Sequence, residues 1–428
     1  MKGFWTIFRL ELTTLMRSRA LPLLTLAGIA WLFAMPHVVT GDGTLDGARE
    51  LYLRYGLGGV FALVLVSLLA TATGTLARER AARRLQLTQV RPVRYFGIVS
   101  AKVLALTLAG AGVMGLACAL SPLAFRLAPG DSGGEGLARP CNHVYKPLLP
   151  SLKEEARDMY ETFMKDPETP PEAKKAPKAA VLRLLENRAR DHYQTVGTNE
   201  TAVWRFAPWT SDGRLPSMRF RFSNAYNMRD DVVGDMLGDG LCCAVSNVAQ
   251  AVIVIPFQAS TFGGEPNAFC FTNRGRHAVM LRPRRDVDLL VPADGFGWNL
   301  LRAWLEAVAV LMVVLAFGTF LSASLSRPVA LFVALAALAV SEMGPSVIEQ
   351  YPDELETKAS DRIGLVLTRF VAEVTRPVAA IAPFERLAND ECVEPGETVR
   401  VLALDGLAVP VALALLAALI LPRKQEDA

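Results

Sequence analysis

Histidine and cysteine are scarce in this chain of 428 residues, four and six respectively. His37, His143, His192 and His277 stand far apart, and no two cysteines have Cys-x-x-Cys spacing. A zinc site of ordinary ligand spacing is therefore not expected, nor a catalytic centre built on clustered histidines. The Gly-x-x-x-x-Gly-Lys-[Ser/Thr] pattern is missing, so no P-loop can cradle ATP phosphates, and His-Glu-x-x-His is missing too. Charge is low, at 20% of residues, against about 25% in ordinary globular chains. Neither sign dominates, with 45 Lys and Arg against 42 Asp and Glu. No basic run alternates with aromatics, which argues against a nucleic-acid partner.

Apolar residues, by contrast, make up 52% of the chain. They gather in stretches of about 20 residues almost free of charge, the length a bilayer core demands of a helix. Five are clear: Leu21–Val39, Leu57–Leu76, Ile98–Phe125, Leu300–Leu325 and Pro410–Leu421, the last extended backwards through Val401–Val409. A sixth, Val329–Ile348, carries one charge, Glu342. The expected fold is an α-helical polytopic membrane protein with six transmembrane helices and an inserted α+β extracytoplasmic domain. Unpaired backbone is too costly in hydrocarbon for any other form of span here.

Short basic flanks set the expected orientation. Lys2, Arg9, Arg17 and Arg19 precede span one; Arg78, Arg80, Arg83, Arg84, Arg91 and Arg94 lie between spans two and three; Arg423 and Lys424 follow span six. The positive-inside rule then puts both termini in the cytoplasm and the chain in the inner (cytoplasmic) membrane. Residues 1–125 would hold an interfacial helix and spans one to three, and residues 298–428 spans four to six, with an outer amphipathic loop at 349–400. Within that loop Asp361–Ile381 is too charged for a span, carrying Arg362, Arg369, Glu373 and Arg376. It reads as an amphipathic helix ended by Pro377 and Pro383.

The insert, residues 126–297, opens on a Gly-rich linker, Pro129-Gly130-Asp131-Ser132-Gly133-Gly134. Ser151–Arg190 is helical in pattern and broken at Pro167–Pro177. Ala202–Phe206, Ser217–Phe222, Ala251–Phe257, His277–Arg282 and Val287–Val291 are short Val-, Ile- and Phe-bearing runs, expected as C-terminal strands of a small β-sandwich. Cys141, Cys242, Cys243, Cys270 and Cys392 fall outside on this topology, where disulfides persist. A Cys141 to Cys392 link is one candidate pairing. Glu306 and Asp405 read as sitting near the outer headgroups. Glu342, beside Gly344-Pro345, is a candidate residue of a translocation path.

Two cytoplasmic elements carry the functional reading. Phe4, Trp5, Phe8, Leu12, Leu15 and Met16 recur at helical spacing among Arg9, Glu11 and Arg17, as in a helix lying in the interface of membrane lipid. Arg78–Lys102 is strongly basic, with Leu85 and Leu87 as an apolar patch and Arg91-Pro92 as a stop. Apolar points for a groove and charges for register suit the docking of a cytoplasmic protein.

With an interfacial helix before span one, and with Glu79, Leu85, Leu87, Pro92, Arg94 and Lys102 around the second connection, the chain resembles the transmembrane subunit of ABC-2 type ABC transporters. The likeness covers Met1–Leu120 and about Asn299–Leu421. It implies a permease without its own ATPase, paired with a cytoplasmic P-loop ATPase subunit that binds ATP and Mg. Two permeases, in a homodimer or heterodimer, would dock two ATPases through Glu79, Arg83, Arg84, Leu85, Leu87, Pro92 and Arg94. Export of an unidentified substrate is the implied activity. The alternative is a membrane-anchored sensor or scaffold whose insert is a binding module.

Overall fold

The computed structural model describes residues 2–38, 45–82, 94–127, 137–166, 178–209, 216–221, 223–224, 231–238, 241–248, 252–256, 268–293, 295–350 and 383–426. The chain divides into two compact units, Met1–Arg139 with Gly295–Ala428, and Pro140–Asp294. The expected insert, 126–297, is trimmed at both ends. The third span's helix runs to Arg126, Leu137 packs with the helical core, and the next helix opens at Phe296.

The helical unit begins with α1 (Lys2–Arg17) and α2 (Ala20–Val38). A short α3 (Leu45–Leu51) passes through a π-helical turn, Tyr52–Leu57, into α4 (Gly58–Ala81). α5 (Tyr95–Arg126) follows. Pro122 deprives the Cys118 carbonyl of its helical donor, and Ser121 Oγ supplies one at 2.8 Å. Across the π turn the Tyr55 carbonyl takes a hydrogen bond from Trp31 Nε1 at 2.9 Å.

The inserted unit holds an antiparallel helical pair, α6 (Leu152–Lys165) and α7 (Lys178–Gln194), closed by Ala156, Val181 and Leu185. The break between them, 167–177, lies outside the described residues. Three antiparallel sheets follow. The first has the order β1 (Asn142–Tyr145), β11 (Val287–Pro292), β4 (Ser217–Arg221) and β8 (Val252–Pro256); the second β3 (Thr201–Arg205), β9 (Ala268–Asn273), β6 (Asp231–Gly238) and β7 (Leu241–Val248). The third joins β2 (Thr195–Val196), β10 (Val279–Met280) and β5 (Ser223–Asn224). All three share one core around Trp204, Phe220, Phe269, Phe271 and Leu289. Trp204 stacks on Phe271 with centroids 6.3 Å apart. The sequence expectation of C-terminal strands is corrected: β1 precedes both helices and pairs with β11, Tyr145 opposite Leu289.

The helical unit resumes with α8 (Phe296–Ser324) and α9 (Arg327–Gln350). It closes with α10 (Pro383–Ala388), α11 (Pro395–Ala403), a second π turn at Leu404–Ala408, and α12 (Val409–Glu426). Small residues let α4, α5 and α8 meet closely. A Cβ on Gly110 would strike Leu68 of α4 and Leu311 of α8, and one on Gly318 would lie 2.7 Å from Leu69.

Among the described residues five helical stretches are long and apolar enough to cross a membrane: Ala20–Val38, Gly47–Ala81, Tyr95–Arg126, Phe296–Ser324 and Pro395–Pro422. That is the build of a polytopic helical membrane protein, with each of the five clear sequence candidates falling in one of them. The sixth candidate lies on α9, whose described apolar part is shorter, Arg327–Ser341. The expected amphipathic helix at Asp361–Ile381 lies outside the described residues.

Candidate functional site

Polar side chains inside the helical unit gather in two places. α8 carries a member of each, Asn299 and Ser322. Twenty-three residues of helix separate the two, which is about 35 Å.

At the Ser322 end Lys102 is buried, 3% exposed, two turns into a largely apolar α5. Its Nζ donates to Glu79 Oε1 at 2.7 Å and to Glu11 Oε2 at 3.0 Å. Glu79 comes from the end of α4 and Glu11 from the middle of α1. The apolar residues of α1 explain the placement, because burying Leu15 and packing Leu12 turns Glu11 toward α5. The next residue on α4 binds the opposite way. Arg80 Nη2 donates to the carbonyls of Ser322 at 3.0 Å and Leu325 at 2.9 Å, capping α8. Ser322 Oγ in return accepts from the backbone N–H of Leu76 and Ala77. Two adjacent side chains of α4 thus hold α1, α5 and α8 just before the basic connection begins. A buried ion cluster of this kind resists partial opening, since a charge left without its partner costs about 3–5 kcal/mol.

At the Asn299 end hydrogen bonds to backbone combine with ion pairs. Asn299, fully buried, donates through Nδ2 to the Glu391 carbonyl at 2.9 Å and accepts from Val393 N–H at 2.8 Å. Arg302 donates to the Val393 carbonyl at 3.1 Å. Arg49, 3% exposed, pairs with Asp390 and donates to the Leu137 carbonyl. Arg386 forks onto Glu397 at 2.6 and 2.9 Å. That hydrogen-bonded carboxylate raises the Arg386 guanidinium further above its ordinary range. Residues 383–398 are thereby pinned over the start of α8.

Two carboxylates lie inside the helical unit: Glu306 and Asp405 are buried, 1% and 6% exposed. Glu306 lies about 10 Å down α8 from Asn299. There it accepts from Thr398 Oγ1 at 3.1 Å, the partner that a buried carboxyl requires. Asp405 stands on the π turn, where Gly406 brings the backbone against Ala309.

Of the docking residues read from the sequence, Glu79 is in the Lys102 cluster and Arg94 caps the start of α5 with its side chain exposed. Arg83, Arg84, Leu85, Leu87 and Pro92 lie outside the described residues. Glu342 is on α9, with its side chain outside the description. Cys118, Cys141 and Cys392 are buried and Cys270 is half-buried. Cys242 and Cys243 sit on β7, opposite Leu237 and Met236 of β6. Sequence reading missed Arg80, Ser322, Asn299 and Thr398, all polar residues at the ends of apolar runs, the one signal that could have found them. No family model matches the chain, and neither does any curated protein or solved structure.

Proposed function

We propose that this chain is the membrane-spanning subunit of an ATP-driven transporter of the ABC-2 type. In this reading the Ser322 end faces the cytoplasm, α9 is the sixth span, and Pro140–Asp294 is extracytoplasmic. The observation that carries it is the Lys102–Glu79–Glu11 cluster. It ties both flanks of the basic connection to the interfacial helix. A push on that connection cannot be absorbed locally, because stretching the cluster strands a buried charge. The movement passes instead to α1, α4 and α5, and through Arg80 to α8. This is the mechanical link that a separate ATPase, binding ATP and Mg, needs in order to bias a two-state membrane element. The substrate moves outward in this reading.

The test is purification of the chain from its native membrane. A P-loop ATPase should copurify, and charge reversal at Arg83 and Arg84, or Leu85→Asp, should release it without loss of membrane insertion. Unchanged copurification in those variants would remove the docking role. The sensor reading draws on the separate core of Pro140–Asp294. It is favoured if a soluble ligand binds that unit and no ATPase accompanies the chain.

A further inference from the structure

Gly74 of α4 lies beneath two guanidinium groups. From the point its Cβ would occupy, Arg327 Nε is 3.1 Å and Arg78 Nε 3.4 Å away. Arg78 follows Gly74 by four residues and so shares its helix face; Arg327 is the first residue of α9. Both arginines are exposed. Among the described residues neither has a carboxylate partner, and the nearest one in sequence, Glu79, is engaged by Lys102. Two like charges are thereby held side by side, and the positive end of α9 adds to the same field. The carbonyl end of α8, which would repel an anion, is occupied by Arg80.

The geometry points to an anion site at this notch, held by Arg78 and Arg327 and filled by the phosphate of an anionic phospholipid. The inference rests on the helices crossing a bilayer and does not depend on an ATPase. Depth favours a lipid over a free anion. Arg78 stands about 30 Å along α4 from Gly58, the thickness of a hydrocarbon core, which sets it at headgroup level. Beside it α9 turns an apolar face outward, with Phe332 73% and Leu335 39% exposed, where acyl chains can lie. Basic pockets between membrane helices hold acidic headgroups by this pairing of guanidinium and phosphate.

The test is native mass spectrometry and thermal unfolding of the full chain in detergent, with phosphatidylglycerol, phosphatidylcholine or inorganic phosphate added. Phosphatidylglycerol should be retained and should raise Tm, and phosphatidylcholine should do neither. Arg78→Gln with Arg327→Gln should weaken phosphatidylglycerol retention about tenfold or more. Arg78→Lys with Arg327→Lys should keep it within a few-fold, as should Arg17→Gln, which removes an exposed arginine from the end of α1. The lysine pair also separates loss of charge from loss of fold, should the glutamine pair unfold. Equal retention of the two lipids, or no loss in a folded glutamine pair, would overturn the site. Equal protection by inorganic phosphate would overturn its assignment to lipid.

Discussion

The two ends of the helical unit are closed by different chemistry. One end uses charge against charge, with Lys102 between two carboxylates drawn from α1 and α4. The other joins the ion pairs Arg49–Asp390 and Arg386–Glu397 to side chains that hold backbone, with Asn299 and Arg302 reading the peptide groups of Glu391 and Val393. An ion cluster depends on all its members at once, because the carboxylates repel when the lysine is gone. An amide grip fails piecemeal, one hydrogen bond at a time. The first suits an end that must move as a block. The second suits a lid whose course must be fixed.

Removing the lysine should therefore be the most damaging change. Lys102→Met is expected to lower stability by about 3 kcal/mol or more, followed as thermal unfolding in detergent. Adding Glu11→Gln and Glu79→Gln should restore most of that loss, which a merely spatial role for Lys102 would not allow. Next comes Asn299→Ala, expected to cost about 2 kcal/mol by stranding one buried donor and one acceptor. Combined with Lys102→Met its effect should be additive, since the two sites lie far beyond the range at which neighbours couple. Marked non-additivity would merge the two ends into one cooperative network and end the contrast. Thr398→Val should cost about 1–2 kcal/mol by leaving Glu306 without its hydroxyl donor.

The smallest effect concerns the inserted unit. Burial pushes the Cys270 thiol above its ordinary range. A raised thiol holds less thiolate at neutral pH, so maleimide labelling should be slow at pH 7 and quicken as the pH rises above the usual thiol range. Labelling at the rate of a free thiol near neutrality would place Cys270 in open solvent.

How much could be read beforehand follows from the range of the interactions. Length and absence of charge define a span locally, so the five apolar stretches were legible. Lys102 was also visible, as a lysine inside an apolar run. Its partner Glu11 was not, because a contact spanning 91 residues is decided by how α1 packs on α5. The donor to Glu306 was hidden for the same reason, since that hydroxyl comes 92 residues later. In the insert, β4, β8 and β11 announce themselves through branched and aromatic residues. Asp231–Gly238 and Leu241–Val248 are broken up by Gly, Asp, Asn and Ser. Those residues are poor strand formers, and pairing along the full length of the two strands overrides local preference.

The widened turn at Tyr52–Leu57 makes a glycine answerable for a neighbour. The Tyr55 carbonyl, which also accepts from the Gly58 N–H, is reached by the Trp31 indole only because Gly59 leaves room above the backbone. α2 is otherwise fringed by exposed Leu23 and Leu26, so this directional bond does much to fix its rotation about its own axis. A single methyl at position 59 would then be felt as a loosened α2, one chain segment away from the substitution itself.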